Sequence, residues 1–209
     1  MCHPRAPGDT CLSSLSSGLN DAKNNSKGCG AVMRAAPFGF YKDAEECMNS
    51  SYIQSVVTHQ HNCGYMSSII MSLLMYIALN KEMTLPEAVE RAMLEAEMYY
   101  GDTAKETVDI LNLALKLYNS NPTFNIQNLI MIGEGWVGEE ALAIAVYAAL
   151  CRRTFEDCIA FSINHSGDSD STGSIAAQIW VAFNGLPEQY KDWDRRLDIS
   201  DAFEYVINL

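Results

Sequence analysis

The fifteen residues 65–79, YMSSIIMSLLMYIAL, constrain the fold most. They carry no charge, and their only polar groups are three serines and two tyrosine hydroxyls. A helix with no polar face has to be covered on every side. The run is also shorter than the roughly 20 residues that span a bilayer. It therefore predicts a core helix with other helices packed around it, and no membrane partner. Two later segments are nearly as apolar: residues 139–150, and SIAAQIWVAF at 174–183. The latter reads as a second helix enclosed on all sides, with Ser171 or Thr172 as its cap.

The remaining segments supply the cover. Asp43 opens a polar helix start, and Ser51 to Thr58 reads as helical. Thr84-Leu85-Pro86-Glu87 is a capping box with proline in the first turn. Gly101 ends that helix, and Asp102 or Thr103 begins the next. Residues 126–132 form a short segment. Thr154 opens a helix running into Asn164, and a last helix starts near Asp198 or Ser200. A short apolar turn is expected around Leu12, Leu15 and Leu19. No run alternates as a strand would. Six to eight helices joined by short loops make an all-α chain, and 209 residues suit a single domain, 1–209.

A formal net charge of −12 without clustered Lys and Arg excludes a nucleic-acid surface. The seven cysteines are dispersed, with no C-x-x-C. That pattern predicts free thiols in a reducing, cytoplasmic setting, and no signal peptide is evident.

The chemistry concentrates in residues 164–173, NHSGDSDSTG. From Ser166 to Thr172, every side chain except Gly167 offers oxygen, which hard divalent cations prefer. Three readings compete. The stretch can be a helix-capping loop with solvated acids. It can be an EF-hand loop, but Ile179 stands where the bidentate carboxylate belongs. It can be part of a metal site at the mouth of a core helix, the reading favoured here. His165 beside Ser166 lacks a third partner, so no catalytic triad is assigned.

Two other stretches carry weaker signals. In residues 27–34, KGCGAVMR, the glycines at 28 and 30 permit a tight turn or a ligand cradle. Met33 replaces the third glycine of a dinucleotide fingerprint, and no strand precedes it. His59-Gln60-His61-Asn62-Cys63 suggests zinc only superficially, because side chains two apart on a helix diverge.

Taken in order, four stretches resemble the ADP-ribosylglycohydrolases. They are RAPGDT at 5–10 with KGCGAVMRAAP at 27–37; THQH at 58–61; GEGWV at 133–137 with EEAL at 139–142; and residues 164–173. The resemblance implies an orthogonal multi-helix bundle around two Mg²⁺ ions, with Mn²⁺ as a substitute. It implies hydrolysis of the bond between ADP-ribose and a protein side chain or other acceptor. Asp168 and Asp170 would then be catalytic, and Asp168, Asp170 and Ser171 would be metal ligands. Lys27, Gly28, Cys29, Gly30 and Met33 would lie against ADP-ribose, and His59 near its phosphates or ribose. Gly167 would let the backbone approach the metals.

The family's other ligands come from a Thr-Asp-Asp-Thr type segment, and this chain contains no Asp-Asp pair. Gly8-Asp9-Thr10 and Gly101-Asp102-Thr103 are its nearest echoes. Roughly the first third of a family member has no counterpart here. Half a metal shell is expected, with a complementing segment or self-association covering exposed core helices. A non-catalytic nucleotide-binding or crystallin-like module is the alternative.

Overall fold

Local signals decide where each helix begins and ends. The computed structural model describes residues 7–18, 23–80 and 83–196. Within them are α1 (Asp9–Ser16), α2 (Ala44–Val56), α3 (Asn62–Asn80), α4 (Leu85–Tyr100), α5 (Lys105–Ser120), α6 (Ile126–Ile132), α7 (Gly138–Cys151), α8 (Phe155–Ile163) and α9 (Ser169–Asn184). The Asp43 carboxylate accepts the Glu46 amide at 2.8 Å and caps α2. Thr84 donates to Glu87 from both its amide, at 2.8 Å, and its hydroxyl, at 2.7 Å, fixing the start of α4. Gly101, at φ 54°, ends α4. Such caps each contribute on the order of 1 kcal/mol.

Nine helices among the described residues exceed the expected six to eight because α1 and α6 are short, eight and seven residues. A single 3-10 turn, Gly101–Ala104, intervenes before α5, so that helix starts later than Asp102 or Thr103. The helix expected near Asp198 or Ser200 lies outside the described residues, as do Arg5, Ala6 and Leu19.

The core is organised by α3 and α7. Every α3 side chain from Met66 to Met75 is buried, and α2, α4 and α7 pack around it. Burying each of Ile69, Ile70, Leu73, Leu74 and Ile77 contributes about 1.5–3 kcal/mol. The serines of α3 do not waste this environment. Ser72 Oγ donates to the Ala35 carbonyl at 2.9 Å and meets Ser51 Oγ at 2.8 Å. By length and composition α3 would pass for a membrane span, but it is mostly buried within the protein.

α7 is equally enclosed and packs against α3, α5, α8 and α9. α9 differs from the expectation. Ile175, Ala176, Ile179 and Trp180 are buried, whereas Ala177, Gln178, Val181 and Ala182 are only half-buried. Its apolar circumference is fully covered on one side and partly covered on the rest, where Ala177, Val181, Ala182 and Phe183 still pack against the core. α9 also starts earlier than the sequence suggested. Asp168, not Ser171 or Thr172, is its cap, because the Asp168 carboxylate accepts the Ser171 amide at 3.5 Å. Asp170 consequently sits in the first helical turn.

Candidate active site

The loop between α8 and α9 is held by its own polar atoms. The Gly167 amide donates to His165 Nδ1 at 3.1 Å, so the ring proton resides on Nε2. Nε2 then donates to the Ser162 carbonyl at 3.0 Å. Thr172 Oγ1 lies 2.6 Å from the same carbonyl and 3.0 Å from that of Asp168. The Asp168 amide donates to the Glu134 carbonyl at 2.8 Å. A side chain at Gly167 would stand 1.8 Å from that carbonyl oxygen, so only glycine allows the two loops to meet. Glu140 completes the clasp by accepting the Glu134 and Gly135 amides at 3.0 and 3.1 Å.

This clasp presents Asp168, Asp170 and Ser171 to a cleft of about 710 Å³. Asp168 is buried and Asp170 exposed. The Cys29 thiol donates to Asp168 Oδ2 at 2.9 Å and lies 3.2 Å from Ser171 Oγ. Ser171 Oγ also contacts Met33 Sδ at 3.1 Å. Burial acts to raise the Asp168 carboxyl. Hydrogen bonds from Cys29, Asp170 and Ser171 outweigh it and hold the group below the ordinary carboxylate value. Burial, reinforced by Asp168, pushes the Cys29 thiol up to about 12. Cys29 is thus a protonated donor at neutral pH, not a nucleophile.

The opposite wall is the 27–34 loop wrapped on His59. Cβ atoms at Gly28 and Gly30 would stand 3.0 and 3.1 Å from the His59 ring. Thr58 Oγ1 lies 2.8 Å from His59 Nδ1 while accepting Arg34 Nη2 at 2.6 Å. A Thr58 proton directed at Nδ1, and not at the Ser55 carbonyl 3.5 Å away, would leave Nε2–H as the donor of the ring. Burial first, and the Arg34 charge second, lower the His59 pKa to about 4, so the ring is neutral. Arg34 also donates to Gln54 Oε1 at 2.7 Å, the Gln54 carbonyl at 3.0 Å and the Gly30 carbonyl at 2.9 Å.

A sequence model described as ADP-ribosylglycohydrolase matches residues 2–207. The chain belongs to the ADP-ribosylglycohydrolase family. It is 20% identical over 195 residues to ADP-ribosylhydrolase ARH3 of Bos taurus, covering 81% of this chain and 53% of that protein. ARH3 of Homo sapiens matches at the same identity and coverage. The chain spans about half the length of these curated relatives. A solved structure titled "ADP-ribosylglycohydrolase-related protein complex" shares the fold, with a TM-score of 0.57 at 19% identity. That match covers 95% of this chain and 66% of the other.

Family members typically bind metal, and the donors here fit a hard cation in part. Oxygen from Asp168, Asp170 and Ser171 suits Mg²⁺ or Mn²⁺. Among the described residues, no acidic side chain other than these two aspartates lines the cleft.

Of the residues singled out by sequence, Gly28, Cys29, Gly30, Met33, His59, Asp168, Asp170 and Ser171 converge on the cleft. Lys27 and Gly167 do not. The Lys27 ammonium turns away to pair with Glu106 and, at 3.5 Å, with Glu139. Gly167 serves the close approach to Glu134 and lines a separate hollow. Arg34 and Trp136 also line the cleft and were not singled out. Both lie inside stretches that carry the family resemblance, which was the available signal. Of the two Gly-Asp-Thr echoes, Gly8 and Thr10 reach the cleft, whereas Gly101–Ala104 forms the turn before α5.

Proposed function

We propose that this chain contributes the α9 half of an Mg²⁺-dependent ADP-ribosylglycohydrolase site, which cleaves ADP-ribose from a protein side chain or another acceptor. The observation that carries this reading is the pair formed by Asp168, the cap of α9, and Asp170 in its first turn, facing a cleft of about 710 Å³. The carboxylates of Asp168 and Asp170 and the hydroxyl of Ser171 would hold the cation. The bound ion would supply Lewis-acid charge stabilisation and orient the ribose hydroxyls.

The chain's own residues have distinct tasks in such a reaction. Asp170, the exposed member of the pair, accepts a proton from the attacking water at its carboxylate oxygen. General-base help of this kind contributes about 10²–10⁴-fold. Water oxygen bonds to the anomeric carbon as the bond to the acceptor breaks, and the proton taken up by Asp170 is passed on to the departing acceptor through solvent. The negative charge retained on Asp168 stabilises the oxocarbenium-like centre. His59 Nε2–H donates to a ribose or phosphate oxygen. Arg34 supplies fixed positive potential toward the diphosphate. Trp136, 58% exposed at the cleft, offers an apolar surface for a base or sugar face. The six described cysteines are free, which supports a cytoplasmic setting.

A second reading is a binding module without turnover, and the lack of further acidic groups lining the cleft among the described residues favours it. Calorimetric titration of ADP-ribose with and without Mg²⁺, run beside release of ADP-ribose from modified arginine and serine, separates the two. Metal-dependent binding with release supports the hydrolase. Binding without release supports the module, and no binding in either condition defeats both.

A further inference from the structure

On the far side of the 27–30 loop, the first turns of α3, α5 and α7 meet. Each brings a side chain able to ligate metal at its second residue: Cys63, Glu106 and Glu139. One ligand atom from each lies within 4.8 Å of the others. Around a single zinc such atoms stand roughly 3.3–3.8 Å apart, so a small inward movement closes the set. Glu139 is only 5% exposed. Its Oε1 lies 3.5 Å from Lys27 Nζ, and its Oε2 is buried with no hydrogen-bond partner. An unpaired carboxylate oxygen in that position costs free energy until a cation reaches it. The Lys27 ammonium, on a stem that is 33% exposed, answers this need in part by bridging to Glu106.

We propose that Cys63, Glu106 and Glu139 form a site for a thiophilic divalent cation of the zinc class, with the Lys27 ammonium as its displaceable occupant. One sulfur and two carboxylates suit zinc, whereas magnesium disfavours sulfur. Three protein ligands leave a fourth position for water. Binding transfers the Cys63 thiol proton to solvent and swings Lys27 outward. Burial pushes the Cys63 thiol up to about 12 and raises the Glu139 carboxyl, so the ion itself has to displace the thiol proton, with three converging helix N-termini offsetting part of that cost. The His59-Gln60-His61-Asn62-Cys63 stretch does not form the site as a unit. His59 belongs to the cleft, while His61 Nδ1 accepts the Cys63 amide at 3.1 Å and orients that turn.

The site is independent of the cleft, and its test keeps the two apart. The full chain carrying Cys11→Ser and Cys29→Ser, which remove the two thiols lining the cleft, is titrated with Cd²⁺ and followed by the ultraviolet thiolate-to-cadmium band. Zn²⁺ binding is measured in parallel by calorimetry. One equivalent should generate the band, and Asp168→Asn should leave it unchanged. Cys63→Ser should abolish it, and Glu139→Gln should weaken binding by at least about tenfold. Lys27→Met should tighten it by about tenfold, 1.4 kcal/mol, because no ammonium competes. Should Cys63→Ser fail to fold, the Glu139→Gln and Lys27→Met arms decide. A band that survives Cys63→Ser overturns the proposal. So does the absence of a band both with Lys27 present and after Lys27→Met.

Discussion

The loop at residues 27–30 separates two acidic groups that solve the same electrostatic problem differently. On one side, the single ammonium of Lys27 bridges Glu106 and Glu139, and the charge is answered in part within the chain. On the other, Asp168 and Asp170 face a cleft whose guanidinium, Arg34, is committed to Gly30, Gln54 and Thr58, and their own neighbours are a thiol, a hydroxyl and a helix N-terminus. Acids answered from within hold helices together. Acids left facing open space await something from outside. The contrast explains why an acidic stretch in a sequence says little until the positions of the cations are known.

The sharpest way to break the comparison is to remove an acid from the open side. Asp168→Ala should eliminate metal-dependent ADP-ribose binding in calorimetry, whereas Asp170→Ala, at an exposed position, should eliminate it with stability changed by less than about 0.5 kcal/mol. Retained binding in both would mean that the cleft acids hold no cation. On the closed side the order of effects should reverse. Lys27→Met leaves Glu139 buried without its cation, and urea unfolding should show a loss of about 2 kcal/mol with cleft binding intact.

A third probe uses pH. The folded His59 ring has its pKa lowered to about 4 from 6.5, so the unfolded chain binds a proton that the folded chain refuses. That stability is complete above pH 6.5 and falls as pH drops through 6.5 toward 4, by up to roughly 3 kcal/mol. Denaturation at pH 7 and pH 5 should show the loss, and His59→Gln should flatten it. The smallest effect belongs to Cys29→Ser. A hydroxyl still donates to Asp168, so stability should change by less than about 1 kcal/mol. Mg²⁺ affinity should rise slightly, because oxygen replaces sulfur beside the acids.

Much of this was legible in residues alone. Periodic apolar faces and punctuating Gly, Thr and Asp place the helices, and an unbroken apolar run makes α3 central. The Asp168 and Asp170 pair stood out because oxygen donors crowd one short stretch. What stayed hidden was direction. Lys27 and Cys29 are two residues apart in one loop, yet one side chain turns to α5 and α7 and the other to α9. Loop side chains take their direction from distant partners, and no local rule supplies those. The cap of α9 was misplaced for a related reason. Asp168, Ser171 and Thr172 are all good capping residues, and the Glu134 carbonyl, far away in sequence, selects among them.

The Arg34 guanidinium has one further consequence. Its nitrogens are already committed to Gly30, Gln54 and Thr58, tying the cleft loop to α2 and its C-terminal turn. An anionic guest would meet a positive charge that is already immobilised. Little rotamer freedom remains to be lost on docking, so its association should carry a smaller entropic penalty than capture by a free surface arginine would.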